Sequence, residues 1–226
     1  MAQTPEYAII VAGGSGSRMQ HDLPKQFIEV AGKPILMHTI ERFYMYNPQI
    51  RLVVVLPQEQ LNTWRGLCKK YDFKTFHMTV PGGATRFGSV KNGLGAIHGE
   101  ALVAVHDGVR PFVEVETIKA SFEAAAKYGC AVVAVSLKDS IRELTEEGSC
   151  AVPRTKYKLV QTPQVFQASI LRKAYEQPEQ EQFTDDASVV ESIGERITLV
   201  EGSYRNIKIT TPEDLILAEA FAGAQP

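Results

Sequence analysis

Residues 11–26 read V-A-G-G-S-G-S-R-M-Q-H-D-L-P-K-Q. They continue a short apolar run at residues 7–12 that has the composition of a buried strand. Glycines after such a strand let backbone N–H groups approach an anion closely, and Arg18 and Lys25 add fixed positive charge. The stretch therefore predicts a loop that binds a polyphosphate. A plain structural turn is the alternative.

Two common phosphate-binding motifs do not fit this loop. The G-K-[ST] of a P-loop is missing, so Lys25 must reach phosphates differently from the lysine of an ordinary ATPase. The third glycine and the later ribose-binding acid of a dinucleotide fingerprint are also missing, which disfavours an NAD-dependent oxidoreductase.

The composition indicates one globular domain over residues 1–226, because 44% hydrophobic residues in a chain of 226 can build a large core. A formal net charge of -2 argues against a surface that coats nucleic acid. Cys68, Cys130 and Cys150 lack paired spacing, which favours reduced thiols. No signal-peptide pattern and no apolar run near ~20 residues is present. We therefore expect a cytoplasmic protein without membrane contact.

Short β-type runs alternate with segments of helical period. Strands are expected at residues 7–12, 51–56, 76–80, 101–106 and 130–136, with helices beginning at Pro34 and covering 58–71, 86–97 and 116–128. Further on, strands are expected near 158–160, 197–200 and 207–209, with helices near 168–175 and 185–193 and from Pro212. The alternation predicts a three-layer α/β fold with a mostly parallel, doubly wound sheet. Ligands of such sheets bind beyond the carboxyl ends of the strands.

Residues 137–157 interrupt this pattern. Two short alternating segments flank a polar turn at Glu146, Glu147 and Gly148, which predicts a β-hairpin arm. Because an isolated hairpin is only marginally stable, a second subunit is the natural surface for it to pack on. A solvated loop is the alternative.

Several polar residues have both a chemical and a structural interpretation. Asp107 follows a strand and can ligate Mg²⁺ or bond a ribose hydroxyl, or it can simply form a turn before Gly108. Thr184 and the acids after it can anchor a polyol, or Thr184 can be an N-cap with the acids at the positive end of a helix. Lys208 is either an exposed strand charge or a phosphate clamp.

Nine motifs in a fixed order carry a family resemblance across essentially the entire chain. They are residues 12–18, Pro24-Lys25-Gln26, Gly82-Gly83, Arg86, Ser89, residues 106–111, Thr162-Pro163-Gln164, residues 184–188 and residues 206–210. Together they resemble the 2-C-methyl-D-erythritol 4-phosphate cytidylyltransferase family. The resemblance implies that CTP, with Mg²⁺, and methylerythritol phosphate react to give a CDP-linked methylerythritol and pyrophosphate.

The resemblance also implies roles for matching residues. Arg18 and Lys25 would stabilise the transition state, while Lys208 and Arg154 would hold the attacking phosphate. Arg154 would enter the site of the neighbouring subunit in a homodimer. The remaining implied contacts are Ala12, Gly13, Gly14, Gly16, Gly82, Gly83, Ser89 and Asp107 for CTP, with Asp107 also the candidate metal ligand, and Arg110, Ser140, Thr162, Thr184 and Asp185 for the acceptor.

The chain departs from the family pattern in three places. The glycine loop is one residue longer than in many members, position 140 is Ser where Thr is familiar, and position 84 is Ala where some members have an acid. Ribitol-5-phosphate cytidylyltransferase is the nearest alternative, because it shares the glycine loop and P-K-Q-F. The segment Asp185-Asp186-Ala187-Ser188 favours the methylerythritol branch. A catalytically silent nucleotide-binding regulator is a further alternative, disfavoured by the four retained cations.

Overall fold

The computed structural model describes residues 4–14 and 23–223. In chain order the strands are β1 (Glu6–Val11), β2 (Glu29–Val30), β3 (Lys33–Pro34), β4 (Arg51–Leu56), β5 (Met78–Pro81), β6 (Leu102–Asp107), β7 (Cys130–Ser136), β8 (Ile141–Thr145), β9 (Gly148–Val152), β10 (Lys158–Gln167) and β11 (Thr198–Glu201). The helices are α1 (Ile35–Tyr46), α2 (Leu61–Lys70), α3 (Arg86–Gly95), α4 (Val115–Tyr128), α5 (Ala168–Glu176), α6 (Asp186–Glu191) and α7 (Pro212–Gly223).

The central sheet has the strand order β11-β7-β10-β6-β1-β4-β5. Only β10 runs antiparallel to its neighbours, β6 and β7, among the strands of this sheet. The predicted mostly parallel α/β sheet is therefore confirmed. None of the helices in the described residues is long and apolar enough to cross a bilayer.

Helices cover both faces of the sheet, which explains why its central strands are apolar on both sides. In β1, Ile9 packs with Val90 of α3 and Leu171 of α5 in one buried cluster. The next residue, Ile10, points the other way and packs in the cluster formed by α1, α2 and α4. The two clusters make the three layers and fix the carboxyl ends of β1 and β6 side by side.

Two predicted strands differ from the structure. The strand expected at 158–160 continues to Gln167, with a register shift between Val160 and Gln164 and a cis peptide bond between Thr162 and Pro163. The strand expected at 207–209 is wrong: the segment is not part of a sheet, although Ile209 N donates to Val109 O at 2.9 Å. Neither error was visible locally, because strand pairing depends on a partner elsewhere in the chain.

The predicted hairpin is present. Strands β8 and β9 pair with each other in a separate two-stranded sheet, and most of their residues are exposed. The side chain of Leu144 is 85% exposed, which is unusual for leucine in a sheet. The arm therefore has little hydrophobic contact within its own chain.

Candidate active site

A cleft of about 210 Å³ lies beyond the carboxyl ends of β1 and β6. It is lined by the end of β1, the turn after residue 23, the loop into α3, the end of β6 and one residue before α7: Val11, Ala12, Gly13, Gly14, Lys25, Gln26, Gly83, Ala84, Thr85, Arg86, Ser89, Asp107, Val109 and Lys208. Loops far apart in sequence thus converge on one site, as expected for a doubly wound sheet.

Gly14 lies directly against the side chain of Lys25. A Cβ atom on Gly14 would be 3.1 Å from Lys25 Cε, so the absence of a side chain at Gly14 makes room for the lysine. The next residue, Gln26, is buried, and its Nε2 donates to Ala12 O at 2.7 Å. Gln26 was not assigned a role from sequence, although the Pro-Lys-Gln motif contains it. This hydrogen bond links the turn that carries Lys25 to the residue that follows β1.

The loop before α3 packs closely on the helix. A Cβ on Gly83 would be 2.7 Å from the backbone carbon of Gly88, so only glycine fits without a shift. Gly83 N donates to Ser89 Oγ at 3.1 Å, and Ser89 Oγ donates to Thr85 O at 2.9 Å. Gly82 lies beside the same hydroxyl. The predicted Gly82, Gly83 and Ser89 therefore form one compact wall.

Asp107 is surrounded by positive charge. Its Oδ2 atom is 3.1 Å from both Lys208 Nζ and Arg110 Nε, and Oδ1 is 4.0 Å from Arg86 Nε. Burial alone would raise the pKa of the Asp107 carboxyl, but attraction by these three cations outweighs it and holds the pKa well below its ordinary value. The cluster carries a net positive charge suited to phosphate.

Residues beneath Asp107 hold its backbone and its arginine partner. Asp107 N donates to Thr162 Oγ1 at 3.1 Å, and Arg110 Nη1 donates to Asn206 O at 2.8 Å. Asn206 Nδ2 in turn donates to Thr162 O at 2.8 Å. Thr162 is buried and supports the site from below, so in this structure it does not line the cleft.

His106 is a packed residue of β6. It is fully buried and contacts the Phe43 ring edge-on, with 5.0 Å between centroids. Burial lowers the pKa of His106 to about 4, so the imidazole is neutral at pH 7.

Other predicted residues lie away from the cleft or outside the described structure. Arg18 and Gly16 fall outside the described residues. Ser140 and Arg154 are exposed at the base of the arm, where Arg154 Nη1 donates to Lys138 O. Thr184 is exposed.

The helix cap predicted at residue 184 is one residue further on. Asp185 is the N-cap of α6, and its Oδ1 accepts from Ser188 N at 2.9 Å. Its Oδ2 accepts from Gln164 Nε2 at 2.8 Å. Because both oxygens have protein partners, the capping interpretation of this segment accounts for Asp185 in the structure.

The residues near Asp107 do not fit a protein-held Mg²⁺ ion. Both of its oxygens already face cations, three in all, and the charge of a metal ion there would be repelled. In the described ranges, no cluster of three or more His, Cys, Asp or Glu side chains could hold a metal. Any divalent cation would need phosphate oxygens as its main ligands.

A glycine loop, a lysine and a cation cluster at the carboxyl edge of a doubly wound sheet define a nucleotide-binding α/β protein. Residues 7–223 match the sequence model of one family of nucleotidyltransferases. The chain belongs to the 2-C-methyl-D-erythritol 4-phosphate cytidylyltransferase family.

Individual relatives agree with this membership. A 2-C-methyl-D-erythritol 4-phosphate cytidylyltransferase of Phocaeicola vulgatus is 51% identical over 215 residues, which are 95% of this chain and 98% of the relative. A crystal structure of 4-diphosphocytidyl-2C-methyl-D-erythritol synthase from Anaerococcus prevotii has a TM-score of 0.84 at 29% identity, covering 97% of this chain and 99% of that one. The cytidylyltransferase structure from Thermus thermophilus has a TM-score of 0.79 at 32% identity, covering 98% and 100%.

Proposed function

We propose that the protein transfers the cytidylyl group of CTP to 2-C-methyl-D-erythritol 4-phosphate. The products are 4-diphosphocytidyl-2-C-methyl-D-erythritol and pyrophosphate, a step in isoprenoid precursor synthesis. Family membership over residues 7–223 supports this assignment. The observation that carries it is that Gly14 and Lys25 line the same cleft as the ion pair of Lys208 and Asp107.

The reaction needs no protein nucleophile. A phosphate oxygen of the acceptor attacks the α-phosphorus of CTP, a new P–O bond forms, and the bond to the β-phosphate breaks to release pyrophosphate. Lys25 and Arg18 neutralise charge on the transferring phosphate in this proposal. The Lys208 side chain is 42% exposed, so its ammonium can contact the acceptor phosphate from its place beside Asp107.

We assign the nucleoside to the part of the cleft that is lined by residues 12–14 and by the wall of Gly82, Gly83 and Ser89. Ala12, Gly13, Gly14, Gly83 and Ser89 all line the cleft, and Gly82 lies beside the Ser89 hydroxyl. Backbone groups dominate this wall, which suits a flat base and a ribose. Asp107 lies at its edge and bonds the ribose in this proposal, since its cation contacts disfavour metal ligation.

We further propose a homodimer in which each arm enters the partner's active site. Arg154 and Ser140 would then contact the acceptor together with Arg110. The exposed apolar residues of this region support burial against another copy: Leu144, Tyr157, Leu159 and Val160 are each at least 45% exposed. We place the enzyme in the cytoplasm, with Mg²⁺ bound through the CTP phosphates.

A pyrophosphate-release assay tests the reaction. The purified protein with CTP and Mg²⁺ should turn over methylerythritol phosphate and should use ribitol 5-phosphate poorly. Omitting the acceptor controls for plain CTP hydrolysis. A preference for ribitol 5-phosphate, or no turnover with either acceptor, would refute the proposal.

A further inference from the structure

A buried carboxylate lies directly behind the nucleotide wall. Asp186, the first residue of α6, is 0% exposed and does not line the cleft. Its Oδ2 accepts from Arg86 Nη2 at 2.6 Å, and its Oδ1 accepts from Tyr175 Oη at 2.6 Å. Burying a charge is costly unless it is paired and hydrogen-bonded, and both conditions are met here.

Arg86 connects this buried carboxylate to the cleft. It is the first residue of α3, lines the cleft beside Gly83 and Ser89, and keeps 32% of its side chain exposed. Its Nε atom lies 4.0 Å from Asp107 Oδ1. The guanidinium therefore lies between a carboxylate in the core and one in the site, and its planar donor fork has a defined orientation.

Tyr175 and Arg86 bond different oxygens of the same carboxylate. Burial and the nearby Asp186 charge raise the pKa of the Tyr175 hydroxyl, so it remains a proton donor throughout the neutral range. The Tyr175 ring separately stacks on Phe87, with centroids 4.5 Å apart. The ring of Tyr175 therefore contributes packing, whereas its hydroxyl donates a hydrogen bond to Asp186.

We propose that Tyr175 and Asp186 are positioning residues that hold the Arg86 guanidinium in contact with bound CTP. The nucleotide assignment of the cleft comes from the proposed function, on which this inference rests. Removing the Tyr175 hydroxyl leaves the carboxylate free to rotate, so Arg86 loses its alignment. CTP binding should weaken, while the chemistry at the phosphates should change little.

Tyr175→Phe is the primary variant because it keeps the ring that stacks on Phe87. We expect the KM for CTP and the calorimetric Kd for CTP to rise about fivefold, the usual worth of one net hydrogen bond. The kcat value and the KM for the acceptor should stay within twofold. Tyr7→Phe is the matched control: Tyr7 is also buried and its hydroxyl accepts from Arg51 at 2.5 Å, but it lies at the amino end of β1.

A double-mutant cycle tests whether the effect passes through Arg86. Once Arg86→Lys is present, Tyr175→Phe should cause no further loss of CTP affinity. Asp186→Asn should weaken CTP binding more than Tyr175→Phe, because the amide cannot accept from both donors. If Asp186→Asn fails to fold, the Tyr175→Phe variant still decides the matter.

Three results would overturn the inference: an unchanged CTP Kd in Tyr175→Phe, a fall in kcat alone, or additive effects with Arg86→Lys. A fall in kcat alone would indicate a merely structural role. Calorimetry with CTP needs no acceptor, so failure with methylerythritol phosphate would refute the proposed reaction without deciding this test.

Discussion

The Lys208 ammonium lies 3.1 Å from Asp107 Oδ2, so the lysine proposed to hold the acceptor phosphate already has a carboxylate partner in the protein. The pair fixes the ammonium at the cleft wall, because the same carboxylate oxygen is also held by Arg110 Nε at 3.1 Å. An incoming phosphate therefore meets an oriented cation whose charge is partly balanced, and the neighbouring Arg110 and Arg86 keep the local charge positive.

Replacing Lys208 by methionine should separate acceptor binding from nucleotide binding. A charge-assisted hydrogen bond contributes about 1.5–3 kcal/mol, so we expect the KM for methylerythritol phosphate to rise about 10- to 100-fold. The Kd for CTP, measured by calorimetry, should change less than threefold. A larger loss of CTP affinity than of acceptor affinity would assign Lys208 to the triphosphate instead.

The low pKa of Asp107 predicts a specific pH dependence of stability. The folded-state pKa lies below the unfolded value of about 3.9, so the carboxylate stabilises the fold above that pH, and this stabilisation is lost as the pH falls towards the folded pKa. Urea unfolding should show Asp107→Asn to be less stable than the parent at pH 7. The difference should shrink below about pH 4. A constant difference from pH 7 to about pH 2.5 would contradict the assignment.

Mixed dimers test whether Arg154 acts in the partner's site. Arg154→Ala and Lys25→Ala should each be nearly inactive as pure proteins, with CTP affinity retained by the former. After mixing and subunit exchange, activity should return, because one cleft of the mixed dimer combines an intact Lys25 with an intact Arg154 from the other chain. If Arg154 acts within its own chain, both clefts of the mixed dimer are defective and mixing restores nothing.

The exposed tip of the arm should contribute to the proposed dimer. Leu144→Asp places a charge on a side chain that is 85% exposed in the single chain, so it should shift sedimentation towards the monomer if this leucine is buried between copies. Phe76→Asp is the matched control. Phe76 is 90% exposed and lies just before β5, the edge strand at the far end of the central sheet from β7 and β10, which the arm connects. Equal effects of the two variants, or none from Leu144→Asp, would refute an arm-mediated interface.

Much of the site could be predicted because its parts are local motifs. Gly14, Gly83 and Lys25 occur in short patterns whose physical purpose, close approach to an anion, is visible in the sequence. Arg86 was part of a recognised motif but had no assigned role, because its partner Asp186 lies 100 residues away. The sequence likewise shows no role for Gln26, because its acceptor is the backbone oxygen of Ala12, 14 residues away.

The sequence by itself determined the layered sheet, the hairpin and the family, since hydrophobic period and ordered motifs are properties of neighbouring residues. Only the tertiary structure decided that β10 runs antiparallel between β6 and β7, that Asp107 faces three cations, and that Asp185 caps α6. The physical reason is that pairing and charge neutralisation depend on which distant segments the packed core brings together.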